Sequence, residues 1–338
     1  MLADVGNDIR MPIGAPLAAN QRSRVSTAVW SAQGQWTAWS VDSADLDGIR
    51  EVRMHDEESD QAGTLVQSVS AFYMCPSPCG RWLSHLSPGP LGLELAVSNV
   101  TTGEIHIVER GQPMFWSWAP GATQLAVHVE NRVLVSDIAG GSTRVLTDDA
   151  GPFVTPCWLP GGSVLYAVGD RIVATGPDDA VTTLVANGSS GRFSLDPEGQ
   201  RLAYIATTGS DATLLILDLL SLTPTEVTSA PVVAFFWSPD GRRLAALTAT
   251  GGGLVQWLIL DGSDTLRLAP FRPTRSWAGR VLSFFEQYAQ SHNVWSSDAT
   301  ALVVPAVGEE GRSGALVQTI DSPTRCQWIP DAELVWWA

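Results

Sequence analysis

Phe235-Phe236-Trp237-Ser238-Pro239-Asp240-Gly241-Arg242-Arg243-Leu244-Ala245 is the stretch on which the fold turns. An apolar run ends at Trp237, Ser-Pro-Asp-Gly has the composition of a tight turn, and Leu244-Ala245 opens a second apolar run. The Trp position can be followed outward in both directions, through Trp30, Pro76, Trp118, Trp158, Leu195, Trp237, Trp295 and Trp328. Two residues later Pro stands at Pro78, Pro120, Pro160, Pro197, Pro239 and Pro330. Seven residues after the Trp column come Thr37, Leu83, Leu125, Leu165, Leu202, Leu244, Leu302 and Val335, all but one aliphatic. The steps of 46, 42, 40, 37, 42, 58 and 33 residues average about 43, the period of propeller blades.

Each unit carries two further strand-like runs, as in Thr213-Leu214-Leu215-Ile216-Leu217-Asp218 followed by Thr225-Glu226-Val227-Thr228. One such four-stranded sheet cannot bury both its faces, so neighbours must stack. The sequence therefore predicts an all-β protein, a β-propeller of four-stranded blades occupying 1–338 as one domain. Eight blades are expected, with seven as the fallback. The recurrent Trp30, Trp118, Trp158, Trp237, Trp295 and Trp328 are expected to fill the gaps between blades.

The eighth copy, Gln327 to Trp337, holds only two strands, and residues 1–24 precede the first full copy. An open sheet edge leaves backbone unpaired. A strand around Ile9–Ile13 is therefore expected to pair with Leu334–Trp337, completing the last blade and closing the ring.

The repeat resembles those of TolB-like propellers, within the wider WD-repeat-like group, and the propeller of prolyl oligopeptidase-type peptidases. The resemblance covers roughly 25–338 and implies a fold shared by binding scaffolds, transport accessories and substrate gates. Two departures accompany it. No secretory-type apolar run stands in residues 1–24, against a periplasmic TolB-like role. Residues 1–338 contain no α/β-hydrolase domain beside the repeats, so peptidase activity is not expected of them.

Composition narrows the function classes. With 35 acidic residues against 20 basic ones, net charge is −15, which disfavours nucleic acid and anionic membrane surfaces. All 20 basic residues are Arg, which excludes Schiff-base lysines and a P-loop lysine. No apolar run reaches transmembrane length. The expectation is a cytoplasmic monomer without direct membrane insertion. Cys75, Cys79, Cys157 and Cys326 are too scattered for a disulfide framework, and Cys75 and Cys79 lack zinc spacing. No metal and no cofactor are expected.

The 58-residue step marks an insertion over 269–292, where a long loop in a compact domain is often functional. It holds Arg275, Trp277, Arg280, Glu286, Tyr288 and His292, suited to an anionic or aromatic ligand, or alternatively to a cap on the ring. Arg272, Arg275 and Arg280 against Glu286 give it a net charge of +2, unless nearby Glu309 and Glu310 pair with these arginines. His128 and Glu130 form a second candidate, an acid/base pair or an ordinary polar turn. Asp42 to Gly48 resembles the start of a calcium loop but lacks its later glutamate. No Gly-x-Ser-x-Gly elbow and no Gly-rich phosphate loop occurs. A non-catalytic scaffold is therefore expected, presenting a loop face and central channel to a protein, peptide or small ligand. The alternative is a cofactor-independent lyase, cyclase or hydrolase at the channel mouth.

Overall fold

The computed structural model describes every residue except 1, 5–9, 13–22, 44–48, 91, 139–140, 309–310, 333–334 and 338. Seven antiparallel four-stranded sheets follow one another along the chain, and each is made of four strands consecutive in sequence. They are the blades of a β-propeller: 23–67, 73–111, 114–147, 157–185, 189–228, 232–267 and 272–330, numbered 1 to 7 in this order. The chain divides into two compact units, residues 1–158 and 159–337, with the boundary just after the first strand of blade 4. Among the described residues no helix is long and apolar enough to cross a membrane.

One turn repeats in all seven blades. The residue four places after the Trp column adopts a left-handed φ: Gly34 (66°), Gly80 (68°), Ala122 (53°), Gly162 (83°), Gly199 (69°), Gly241 (67°) and Ala299 (58°). Its N–H donates to the carbonyl of the residue one place after the column, as Gly241 does to Ser238 at 2.9 Å and Ala299 to Ser296 at 2.9 Å. Glycine holds five of these places because a Cβ is disfavoured there. The serine of Ser-Pro-Asp-Gly closes the same turn. Its Oγ accepts the N–H of the residue five on, Arg243 N to Ser238 Oγ at 2.9 Å and Ala301 N to Ser296 Oγ at 2.9 Å.

Four indoles of the Trp column each bind their blade to the one before it. Within the first unit, Trp118 Nε1 donates to the Cys75 carbonyl (3.2 Å) and Trp158 Nε1 to that of Ser117 (3.2 Å). Within the second, Trp237 Nε1 reaches Ser194 O (3.1 Å) and Trp295 Nε1 reaches Phe236 O (3.0 Å). Every acceptor is the residue just before the column position of the preceding blade. A second latch runs forward, from the residue six after the column to the carbonyl of the left-handed residue in the next blade. Trp36 Nε1 to Gly80 O (2.7 Å) and Arg243 Nη1 to Ala299 O (3.0 Å) use it, as does Arg201 to Gly241. The aliphatic column is buried as expected: Leu83, Leu125, Leu165 and Leu202 are fully inaccessible.

The expectation of eight blades is corrected to seven. Trp328 does not open an eighth blade. It lies in Cys326–Pro330, the outer strand of blade 7, paired with Leu316 of Ser313–Thr319. There it is 37% exposed and covers Gly308 and Gly314, whose positions have no room for a Cβ beneath the indole. The physical reason is edge pairing: without Cys326–Pro330, Ser313–Thr319 would present an unpaired row of N–H and C=O groups. The Trp-x-Pro-Asp residues recur there without the turn.

The expected pairing of Ile9–Ile13 with Leu334–Trp337 falls largely outside the described residues. Arg10–Pro12 pairs antiparallel with Leu2–Asp4, and no described sheet combines strands from the two ends of the chain. Ile9, Ile13 and Leu334 lie outside the described residues. Trp337 bridges Asn293 of blade 7.

Candidate functional site

The long step in the repeat is an interruption of a strand. Blade 7 begins at Arg272–Pro273, paired with Val307 and Ala306, and resumes with Trp295 opposite Leu302. Between them the chain leaves the sheet as helix α1 (Arg275–Arg280), a 3-10 turn (Leu282–Phe284) and helix α2 (Phe285–Tyr288). Thr274 caps α1 by accepting the Trp277 N–H at 3.2 Å, which starts the helix immediately after Pro273.

The apolar side of this excursion is core. Trp277, Val281, Leu282 and Phe285 are buried in one cluster with Phe235, Phe236 and Trp257, and Phe285 meets Phe235 edge-on at 4.8 Å. Phe235 and Phe236 lie on the first strand of blade 6, on the side of the Trp column away from the tight turn, and Trp257 on its third strand. The sequence offered Trp277 as a ligand-stacking residue; its burial makes it an anchor of the insertion instead.

Glu286 is likewise committed to structure. Arg192 of blade 5 donates Nε to its carboxylate at 2.8 Å, donates Nη2 to the Val233 carbonyl at 3.2 Å, and lies 4.5 Å from the Phe285 ring centroid. The Glu286 side chain is only 7% exposed, so the guanidinium supplies the countercharge that burial requires. Tyr288 and His292 pack edge to face at 4.9 Å, and His292 lies 4.3 Å from the Trp336 ring. Burial pushes His292 down to about 3, so it is neutral at physiological pH. The same desolvation raises Tyr288, opposed by the nearby Arg280 charge.

Arg275 and Arg280 remain. Both are exposed on α1, and neither has an ion-pair partner among the described residues. Glu309 and Glu310, the acids the sequence offered as partners, lie outside the described residues, as does most of the calcium-like loop, 44–48.

The second candidate separates. His128 is buried in the second strand of blade 3, donates Nδ1–H to the Val154 carbonyl at 2.9 Å, and packs on Phe153 at 4.6 Å. Desolvation lowers its pKa, while the bond to Val154 opposes the shift. Glu130, two residues on, is exposed in a left-handed turn at φ 55°. Strand geometry would put residues two apart on one face; the strand ends at Val129, so Glu130 turns away. No hydrogen bond or ion pair joins the two among the described residues.

Two participants escaped the sequence reading. Arg192 lies 94 residues from Glu286, and nothing local marks it as the partner. Trp336 belongs to a tail read as blade strand, and only the bridge from Trp337 to Asn293 brings it to His292. Among the described residues no three His, Cys, Asp or Glu side chains gather as metal ligands.

No family model matches the chain, and no curated protein matches it. Solved structures do. A prolyl endopeptidase aligns with TM-score 0.63 at 12% identity over 92% of this chain, which spans half the length of that protein. An oligogalacturonate lyase in complex with manganese aligns with TM-score 0.59 at 15% identity, covering 89% of this chain and 94% of that one. TolB from Acinetobacter baumannii matches at TM-score 0.48 and 16% identity, covering 90% and 82%. Identities this low speak for architecture alone, and what the prolyl endopeptidase and oligogalacturonate lyase alignments establish for this chain is the β-propeller fold.

Proposed function

We propose that this propeller is a non-catalytic binding scaffold whose recognition element is the blade 7 insertion, with Arg275 and Arg280 as its ligand-facing residues. The observation that carries this reading is the charge left on the insertion. Its only acid, Glu286, is neutralised by Arg192, so Arg272, Arg275 and Arg280 stand as a local positive patch on a chain of net charge −15. Arg272 is partly engaged through the Gly252 carbonyl at 3.0 Å, which leaves the two helix arginines for a partner. A guanidinium pair suits a carboxylate bidentately, and half-exposed Phe284 offers an apolar surface on the same insertion. The ligand class is a small carboxylated aromatic or an acidic peptide segment. The separation of His128 from Glu130, and the burial of His292, favour binding over the enzymatic alternative.

The test is titration calorimetry with phthalate and with a hexaglutamate peptide, at low and at physiological salt. Binding should weaken at least ten-fold in the Arg275→Ala/Arg280→Ala double variant, with its melting temperature unchanged. A melting temperature that falls with the arginines would make them structural and overturn the reading. So would absence of binding to either probe by the parent chain.

A further inference from the structure

The first strand of blade 7 lies at the end of its sheet, so one of its backbone edges has no partner within the blade. Where the strand resumes after the insertion, the direction of that edge can be fixed. Val303 N donates to Val294 O at 2.8 Å and Ser296 N to Ala301 O at 2.9 Å, so residues 294 and 296 face the second strand. By strand alternation the Asn293 carbonyl points the other way. Trp337 N donates to that carbonyl at 2.8 Å, in antiparallel sense. Val335, Trp336 and Trp337 are buried there, and Trp336 meets His292.

We propose that this edge of blade 7, beside Asn293, is a strand-addition site for an extended peptide of apolar-aromatic-aromatic sequence, occupied in this chain by its own Val335–Trp337. Backbone pairing at a sheet edge with pockets for side chains is a recurrent way of binding extended peptides. The tail is an imperfect occupant. The Trp337 indole Nε1 is buried with no hydrogen-bond partner among the described residues, a cost that a phenyl ring in the same place would not carry. The tail holds the site by connection rather than by fit: a short tether acts as a millimolar local concentration, so an equal peptide supplied at micromolar concentration is displaced about a thousand-fold. The tail is thus a built-in competitor for a peptide partner. The site rests on the binding-scaffold reading but uses none of the arginines in its test, so the two fail separately.

The probe is a fluorescein-labelled peptide with the sequence of residues 331–338, followed by fluorescence anisotropy. Trp337→Pro removes the N–H that pairs with Asn293, and this variant should bind the probe at least ten-fold more tightly than the parent. Trp337→Phe, which removes the unpartnered donor, should bind it more weakly than the parent. Methylating the probe's nitrogen at the place of Trp337 should abolish binding; equal binding by the methylated probe means a pocket for aromatic rings without strand addition and overturns the proposal. Equal affinity of parent and Trp337→Pro, with unchanged far-ultraviolet circular dichroism, overturns it as well. Hydrogen exchange on the parent chain provides the measurement should the proline variant not fold. The Trp337 amide should exchange at least a hundred-fold faster than those of Ala301–Val307, and equal protection would show the tail to be permanent structure.

Discussion

Replacing Trp295 with Phe and, separately, Trp328 with Phe distinguishes a blade-to-blade latch from an outer-strand ornament. Trp295 is 2% exposed, and its Nε1 donates to the Phe236 carbonyl at 3.0 Å. Phenylalanine keeps the ring but cannot donate, leaving a buried carbonyl short of a partner, which costs about 1–3 kcal/mol. The lost part of the indole adds about 1–2 kcal/mol through burial and an incompletely closed cavity. The sum is about 3 kcal/mol. At an unfolding entropy near 2.1 cal/mol/K per residue, a chain of 338 residues should then melt about 4 °C lower. Trp328 is 37% exposed on the outer strand and covers two glycines, so Trp328→Phe should cost less than about 1 kcal/mol. Guanidinium denaturation followed by Trp fluorescence and by circular dichroism measures both, and coincident transitions check that the midpoints report one event. Equal losses at the two positions would refute the seven-blade register. A loss below about 1 kcal/mol at Trp295 would refute the latch.

Other consequences follow from the turns, the buried histidines and the insertion clamp. Gly199→Ala and Gly241→Ala impose the same left-handed strain, about 1–2 kcal/mol. At Gly241 a new Cβ meets Pro197 at 3.6 Å and Arg201 Nη2 at 3.8 Å, both ordinary contacts, whereas at Gly199 it collides with the Pro160 ring. Gly199→Ala should therefore be the more destabilising by about 1–3 kcal/mol in matched denaturation curves. His85 is held down to about 4 and His292 to about 3 by desolvation, below the ordinary value of 6.5, so the folded state binds these protons less readily than the unfolded chain. Their stability contribution is complete above about pH 6.5 and is lost on acidification towards pH 4, at about 1.4 kcal/mol per pH unit for each histidine. His85→Gln should lower the slope of unfolding free energy against pH in that window by about one proton. Arg192→Ala strands the buried Glu286 carboxylate, and should raise hydrogen exchange in 275–292 while leaving the strands of blades 5 and 6 protected; uniform loosening of these blades would contradict a local clamp.

The sequence by itself determined the repeat and what each of its columns does. Left-handed turns, capping serines, buried aliphatics and inter-blade indoles are local demands, made by residues within about ten places of one another, so Trp237-Ser238-Pro239-Asp240-Gly241 declares them without help. Tertiary structure decided which copies of that pattern become blades. Trp295 and Trp328 read alike, yet one closes against Phe236 while the other lies over Gly314, because pairing of Ser313–Thr319 with the nearest free strand outweighs a local motif. The site depended on the same kind of remote choice. Trp277, Glu286 and His292 looked like ligand residues as a cluster of polar and aromatic side chains on a long loop. Their burial by Phe235, Arg192 and Trp336 rests on contacts across about 40 to 100 positions. Long-range packing of that kind has no sequence period to betray it, because burial is settled by whatever side chain the fold carries to the spot.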